Sequence, residues 1–233
     1  MPLIIAIETS SELASAALLH DGSVIFRESA GVQSHSHAIL PMVQALLAQS
    51  GITLSHCNAI AFGSGPGSFT GVRTACGIAQ GLAYGLDLPV VPIVTLAAMA
   101  QACHEASGAS DVLAILDARM DEVYWAHYRY EDGTGHPVVG PSLCAASAVP
   151  FIAGALACGN GLPAYAGMFD PRIIAIDSAK VILPHATQVA RLAHTEFLKG
   201  HVIAARDAQP LYLRNKVAMT TAERGVKAPR VAA

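Results

Sequence analysis

No uninterrupted apolar run in the 233-residue sequence approaches the roughly 20 residues that a bilayer-spanning helix needs. The longest candidate, Leu88 to Ala102, is broken by Pro89, Pro92, Thr95 and Gln101. The N-terminus has no basic stretch followed by an apolar core and a small-residue cleavage site, so no secretory leader is expected and a cytoplasmic location follows by elimination. The five cysteines (Cys57, Cys76, Cys103, Cys144 and Cys158) form no CxxC pair. That argues against a zinc ribbon or a disulfide framework and for free thiols in a reducing compartment. Charge is scarce as well. Only seven Asp, Glu, Lys or Arg fall in the first 100 residues, against 24 in the remainder. With 53% apolar residues and a net charge of -3, the chain is not disordered. It also gives no support for a nucleic-acid groove, and the short tail from Arg206, with six basic and two acidic residues, is too little to change that. A lobe so lightly charged either buries much of its helix surface internally or offers a surface that is easily desolvated at a protein interface.

What is present reads as alternating strands and helices. Leu3 to Ile7 is a central-strand run, followed by a polar turn at Glu8-Thr9-Ser10-Ser11 and a strand from Ala14 to Leu19. Asp21-Gly22 is a hairpin signal returning through Val24 to Glu28. This antiparallel opening differs from a dinucleotide-binding fold, which begins strand, glycine turn, helix. Ile39, Val43, Leu46 and Leu47 predict a first helix, closed by Ser50-Gly51. Ala59 to Phe62 leads into a glycine-rich turn, a second helix runs from about Val72 to Tyr84, and Val90 to Ile93 precedes a third helix that Thr95 can cap. Glu105 to Asp111 is the expected lobe boundary. Val112 to Leu116 and Val123 to Tyr130 are strands around a charged turn at 117–122, a glycine-rich loop spans Gly154 to Gly167, and Ala186 to Phe197 is the last helix. The expected division is a first lobe at 1–104, a second at 105–207, and a C-terminal segment at 208–233 that runs back along the body to a disordered end.

The turn from Gly63 to Gly71 carries the most information. Its glycine-rich core, Gly65, Pro66, Gly67, Ser68, Phe69, Thr70 and Gly71, lies between a strand and a helix, where converging amides and the helix dipole can hold an anion. No lysine stands in the GxxxxGK[ST] frame, so it is not a P-loop; a tight structural or interface turn is the other reading. The helix that follows places Gly77, Gly81 and Gly85 at four-residue spacing, beside Thr70, Arg73 and Thr74. Each helical glycine costs about 1 kcal/mol relative to alanine. Close approach of a neighbour repays that cost, whether the neighbour is the lobe's own sheet or a second protein. His35 and His37 are spaced i, i+2 at a helix start and so point apart, and no third ligand lies near. Asp117, Arg119, Asp121 and Glu122 could hold Mg²⁺ or move a proton, or could cap and pair within their own turn. Glu8, Thr9 and Ser10 occupy the place of a phosphate-binding hairpin without its Asp and Gly. There is no GxSxG elbow, and the sequence offers no reason to pair any cysteine with a histidine.

Ile5-Ala6-Ile7-Glu8-Thr9-Ser10, His35 with Ile39-Leu40-Pro41, and above all Gly65-Pro66-Gly67-Ser68-Phe69-Thr70-Gly71-Val72-Arg73 resemble the bacterial TsaB (YeaZ) family. Asp117-Ala118-Arg119-Met120, Glu122-Val123-Tyr124-Trp125 and Leu211-Tyr212-Leu213-Arg214-Asn215 extend the match in order from residue 3 to about 218. The resemblance implies an α/β actin-like ATPase (ribonuclease H-like) fold of two related lobes, each with a mixed sheet and helices. It implies a non-catalytic subunit supporting the TsaD transferase in threonylcarbamoylation of tRNA adenosine 37, with the TsaE ATPase in the larger complex. The first-lobe helices are then the heterodimer seam, giving His35, Ile39, Val43, Arg73, Thr74, Gly77, Gly81 and Gly85 as interface residues. The HxxxH metal pair of TsaD is absent, since Ile39 stands four after His35. No cofactor is therefore expected on this chain, with ATP or ADP and a metal on the partner subunits, tRNA contact mainly through the complex, no membrane contact, and a homodimer possible in isolation. The alternatives are an ATP-dependent small-molecule kinase or hydrolase of the same fold, acting through Glu8 or Asp117, and a homodimeric binding module.

Overall fold

A computed structural model describes residues 1–30, 35–174 and 181–214; Asn215 and the basic tail beyond it lie outside the described residues. The apolar opening runs become β1 (Ile4–Glu8), β2 (Leu13–His20) and β3 (Ser23–Ala30), an antiparallel meander. Asp21 and Gly22 turn β2 into β3 with φ of 48° and 79°, the left-handed pair that a two-residue hairpin with the native twist demands. After α1 (His35–Gln49), β4 (Ala59–Gly65) joins β1 in parallel; after α2 (Phe69–Tyr84), β5 (Val90–Val94) joins β4 in parallel. The sheet order is β3-β2-β1-β4-β5, the ribonuclease H-like arrangement.

Helices cover both faces, which is why β1 is apolar at consecutive positions. Ile5, Ile7, Leu18 and Phe62 face α1 and α2, while Ile4, Ala6, Ala17, Ala59 and Ala61 face the opposite way. Full burial of Ile39 and Leu46 from α1 contributes about 1.5–3 kcal/mol each.

The second lobe starts from α3 (Thr95–Ser107), whose Leu96, Met99 and Cys103 pack on β6 (Asp111–Asp117) and β7 (Glu122–Glu131). β8 (Thr134–Ala145) pairs with β7, and β9 (Leu156–Cys158) runs parallel to β6, giving the order β8-β7-β6-β9. This repeats the first four strands of the first sheet, a meander and then a parallel strand beside its first member. Two single-turn helices, α4 (Gly161–Ala164) and α5 (Pro171–Ile174), follow β9, and α6 (Ala186–Leu198) comes last.

Several sequence expectations change. α3 runs on through Ser107, into the stretch expected as a lobe boundary, and stops at Gly108 with φ of 73°. Thr95 does not cap it: the N-cap is Val94, and the Thr95 hydroxyl is engaged elsewhere. β8 is a twelve-residue strand that the sequence reading did not include; it holds Pro137 and Pro141 because an edge strand needs no ladder bond on one side. α6, expected in the second lobe, packs on the first sheet: Ala186, Val189, Ala190 and Ala193 sit on Ala6, Ala17, Ala59 and Ala61. Small residues on both sides let helix and sheet approach closely. Ile203 then bridges to Val90, so the chain from α6 onward returns to the first lobe.

Candidate interaction face and interlobe cleft

The glycine turn is built by contact with the β1–β2 turn. Ser68 donates its amide to the Ser10 carbonyl (2.7 Å) and caps α2 by accepting from the Gly71 amide (3.4 Å). The Thr9 hydroxyl donates to the Gly71 carbonyl (2.7 Å). A Cβ on Gly67 would overlap Ser10, and one on Gly71 would overlap the Thr9 carbonyl. Close packing of two turns, rather than a phosphate cradle, therefore accounts for glycine at 67 and 71.

Glu8 is fully buried beneath this junction. Its carboxylate accepts from the Ser10 amide (2.6 Å), and the Thr95 hydroxyl donates to it (3.4 Å) while accepting from the Gly65 amide (3.1 Å). Burial pushes the Glu8 carboxyl above its ordinary 4.5, an effect that the donors from Ser10, Thr9 and Thr95 oppose. Glu8 and Thr9 thus tie β1, β4, α2 and α3 together below the surface.

Above the junction lies a cleft of about 330 Å³ between the lobes, at the carboxyl ends of β1, β4 and β6, where open α/β sheets place their ligand sites. Ser10, Gly67, Ser68, Phe69, Asp117 and Arg119 all line it, so the structure brings together three turns spread over some hundred residues of sequence. Asp117 is fully engaged: its Oδ1 accepts from the Arg119 amide (2.7 Å) and the Tyr165 hydroxyl (2.9 Å), and its Oδ2 pairs with the Arg119 guanidinium (3.0 Å). Arg119 thus pairs within the charged turn, with Asp117 and not with Asp121 or Glu122. Arg119, Met120 and Asp121 have φ of 63°, 60° and 62°, three consecutive left-handed residues that each cost about 1–2 kcal/mol.

Arg214 helps to hold that turn, a role the sequence did not disclose. It pairs with Glu122 (2.6 Å) and donates to the Ala118 carbonyl (2.9 Å). Leu211, three residues earlier, donates its amide to the Ser64 carbonyl at the end of β4 (2.7 Å). Residues 211–214 therefore cross the cleft and join the lobes, as does Asn160, which accepts from the Asp117 amide and donates to Glu12. Among the described residues no group of three or more His, Cys, Asp or Glu is placed to hold a metal ion, and no helix is long and apolar enough to cross a membrane. No disulfide joins the five cysteines; four are buried, and burial lifts the Cys57 thiol to about 11.

The helix positions expected at a partner seam divide in two. His35, Ile39 and Val43 are buried against the first sheet, so they offer no surface to a second protein. The apolar stripe of α1 faces inward, and its outward side, missed by the sequence reading, carries Leu40, Pro41, Gln44, Ala45 and Ala48. On α2 the inward side is Val72, Ala75, Cys76, Ala79 and Ala83. Gly77, Gly81 and Gly85 are exposed, and a Cβ at Gly77 or Gly81 would meet nothing within 4 Å. Their own sheet is therefore not what requires glycine there. Arg73 shares the exposed side, while Thr74 is half-buried with its hydroxyl donating to the Thr70 carbonyl (3.0 Å).

Comparison with known proteins gives this architecture its relatives. The family described as "TsaD: tRNA N6-adenosine threonylcarbamoyltransferase" matches residues 25–230. The tRNA threonylcarbamoyladenosine biosynthesis protein TsaB of Escherichia coli is 41% identical over 221 residues, 92% of this chain and 96% of the relative. Its namesake in Haemophilus influenzae is 40% identical over 225 residues, covering 92% and 94%. A Pseudomonas aeruginosa crystal structure described as similar to peptidase YEAZ superimposes with a TM-score of 0.86 at 38% identity, covering 92% of this chain and all of that one. A second, YeaZ from the same organism, gives 0.83 at 36% identity, covering 91% and 100%. Identity at this level over nearly the whole of both chains places the protein in the TsaB (YeaZ) family.

Proposed function

We propose that this chain is a non-catalytic subunit of the machinery that attaches a threonylcarbamoyl group to a tRNA adenosine, and that it acts by docking a TsaD-type transferase on the outward side of α1 and α2. The observation that carries the docking reading is the exposed glycine row on α2. Gly77 and Gly81 are left open by the chain's own fold, yet each weakens the helix by about 1 kcal/mol relative to alanine. A helix of another protein approaching close to the backbone supplies the missing reason. α1 adds a neighbouring surface without Asp, Glu, Lys or Arg, which sheds water at little cost when covered.

In this reading ATP or ADP, the metal and most of the tRNA contact belong to the partner subunits, with a TsaE-type ATPase completing the assembly. The same face supports a homodimer when the transferase is absent. The cleft of this chain, crossed by residues 211–214 and with Asp117 held by Arg119 and Tyr165, serves to join the lobes. Size-exclusion and affinity measurements with the TsaD-type subunit test the docking face. Gly81→Leu and Leu40→Glu should each weaken the heterodimer while leaving the circular dichroism spectrum intact, and wild-type affinity in both variants would remove the basis for the proposal.

A further inference from the structure

The two helices of this face carry one full charge between them; the nearest others are Arg27, which reaches α1 at Gln49, and Arg206, whose carbonyl accepts from Gln80 of α2. α1 has no Asp, Glu, Lys or Arg, and α2 has only Arg73. Arg73 is exposed and held in place: its Cζ lies 3.2 Å from the centroid of the Phe69 ring and 5.1 Å from that of Tyr212, with the two rings 6.1 Å apart. No carboxylate pairs with it among the described residues. The other arginines at this end of the molecule are already satisfied, Arg119 by Asp117 and Arg214 by Glu122.

An isolated guanidinium covered by a partner loses its hydration, which is costly unless an opposite charge replaces the water. Stacking on Phe69 also removes much of the rotamer freedom that an arginine ordinarily loses when it pairs. We infer that the surface seated on α1 and α2 presents a carboxylate opposite Arg73, and that this ion pair sets the register of an otherwise uncharged contact. The inference rests on the reading of this face as the transferase-docking surface and names the chemistry that the transferase brings to it. A protein carboxylate fits better than an RNA phosphate, because phosphate recognition uses several cations along a track and the outward sides of α1 and α2 themselves supply one.

The test uses the full chain and the TsaD-type subunit, with affinity measured across a salt series for wild type, Arg73→Lys, Arg73→Gln, Arg73→Glu and Gly81→Leu. Arg73→Gln should weaken binding roughly tenfold or more at low salt, Arg73→Glu should weaken it further, and Arg73→Lys should retain part of it. Wild-type affinity should fall with salt more steeply than that of Arg73→Gln. Changing partner carboxylates one at a time to lysine should reveal one that restores binding to Arg73→Glu. If Arg73→Gln and Arg73→Glu bind like wild type while Gly81→Leu does not, the ion pair is wrong and the docking face stands. Normal binding by Gly81→Leu as well removes both. A loss for Arg73→Gln that is equal at every salt concentration would assign Arg73 a packing role on Phe69 and overturn the inference. So would intact heterodimer binding with loss of tRNA from the assembled complex, which would make phosphate the counter-ion.

Discussion

Gly81→Ala separates what the fold wants at that position from what the partner wants. The added methyl meets nothing within 4 Å, and the glycine lies inside a sixteen-residue helix. The isolated chain should therefore gain the helix-propensity difference, about 1 kcal/mol. For a chain of this size that raises the thermal midpoint by about 2–4 °C. At an interface packed against the glycine backbone, the same methyl forces two close surfaces apart. Overpacking of this kind costs about 1–3 kcal/mol, or roughly 5- to 150-fold in affinity. Scanning calorimetry of the dilute chain and titration calorimetry with the TsaD-type subunit measure the two sides. A higher melting point with unchanged affinity would show that nothing approaches the glycine row, and would refute the argument for docking on α2.

Other perturbations probe the interior. Gly71→Ala drives a methyl into the Thr9 carbonyl and disturbs the Thr9–Gly71 bond, so despite better helix propensity it should destabilise by about 2–3 kcal/mol in denaturant titration. Glu8 has its carboxyl pKa raised above 4.5 by burial. Its contribution is accordingly complete below pH 4.5 and lost as pH climbs towards the folded value, because the unfolded chain ionises first. Glu8→Gln should remove that decline, so the variant gains on wild type as pH rises from 4.5; a pH-independent difference in midpoint would contradict the assignment. Arg214→Ala frees Glu122 and the Ala118 carbonyl and should cost about 1–3 kcal/mol, with faster hydrogen exchange or proteolysis at 117–122 than elsewhere.

Local patterns made much of the fold legible. The apolar runs of β1 and β2, the Asp21–Gly22 turn and the helical spacing of Ile39, Val43, Leu46 and Leu47 all stand where they were read. What escaped depended on distant parts of the chain. Nothing near Ala186 states that its alanines sit on Ala59 and Ala61, and nothing near Gly67 states that Ser10 fills the space a side chain would need. The spacing of Ile39, Val43, Leu46 and Leu47 gave the correct stripe, which the resemblance pointed at a partner and the fold turns onto its own sheet. An apolar stripe on a first-lobe helix finds its own sheet before it finds a partner, and the residues left for a partner are the bland ones between. Gly77 and Gly81 stood out because a helical glycine is costly even before a fold is known, whereas Arg73 entered only beside them and through the resemblance. Arg214 did not stand out, since its use depends on a turn almost a hundred residues away.

Reconstituted tRNA threonylcarbamoylation with purified TsaD-type transferase, TsaE-type ATPase, an activated threonylcarbamoyl donor and substrate tRNA decides whether this chain is a required, non-catalytic subunit. Modification should require this chain, fall in parallel with heterodimer affinity in Gly81→Leu, and yield no product when this chain replaces the transferase. Full modification without the chain, or product formed by the chain alone, would contradict that role.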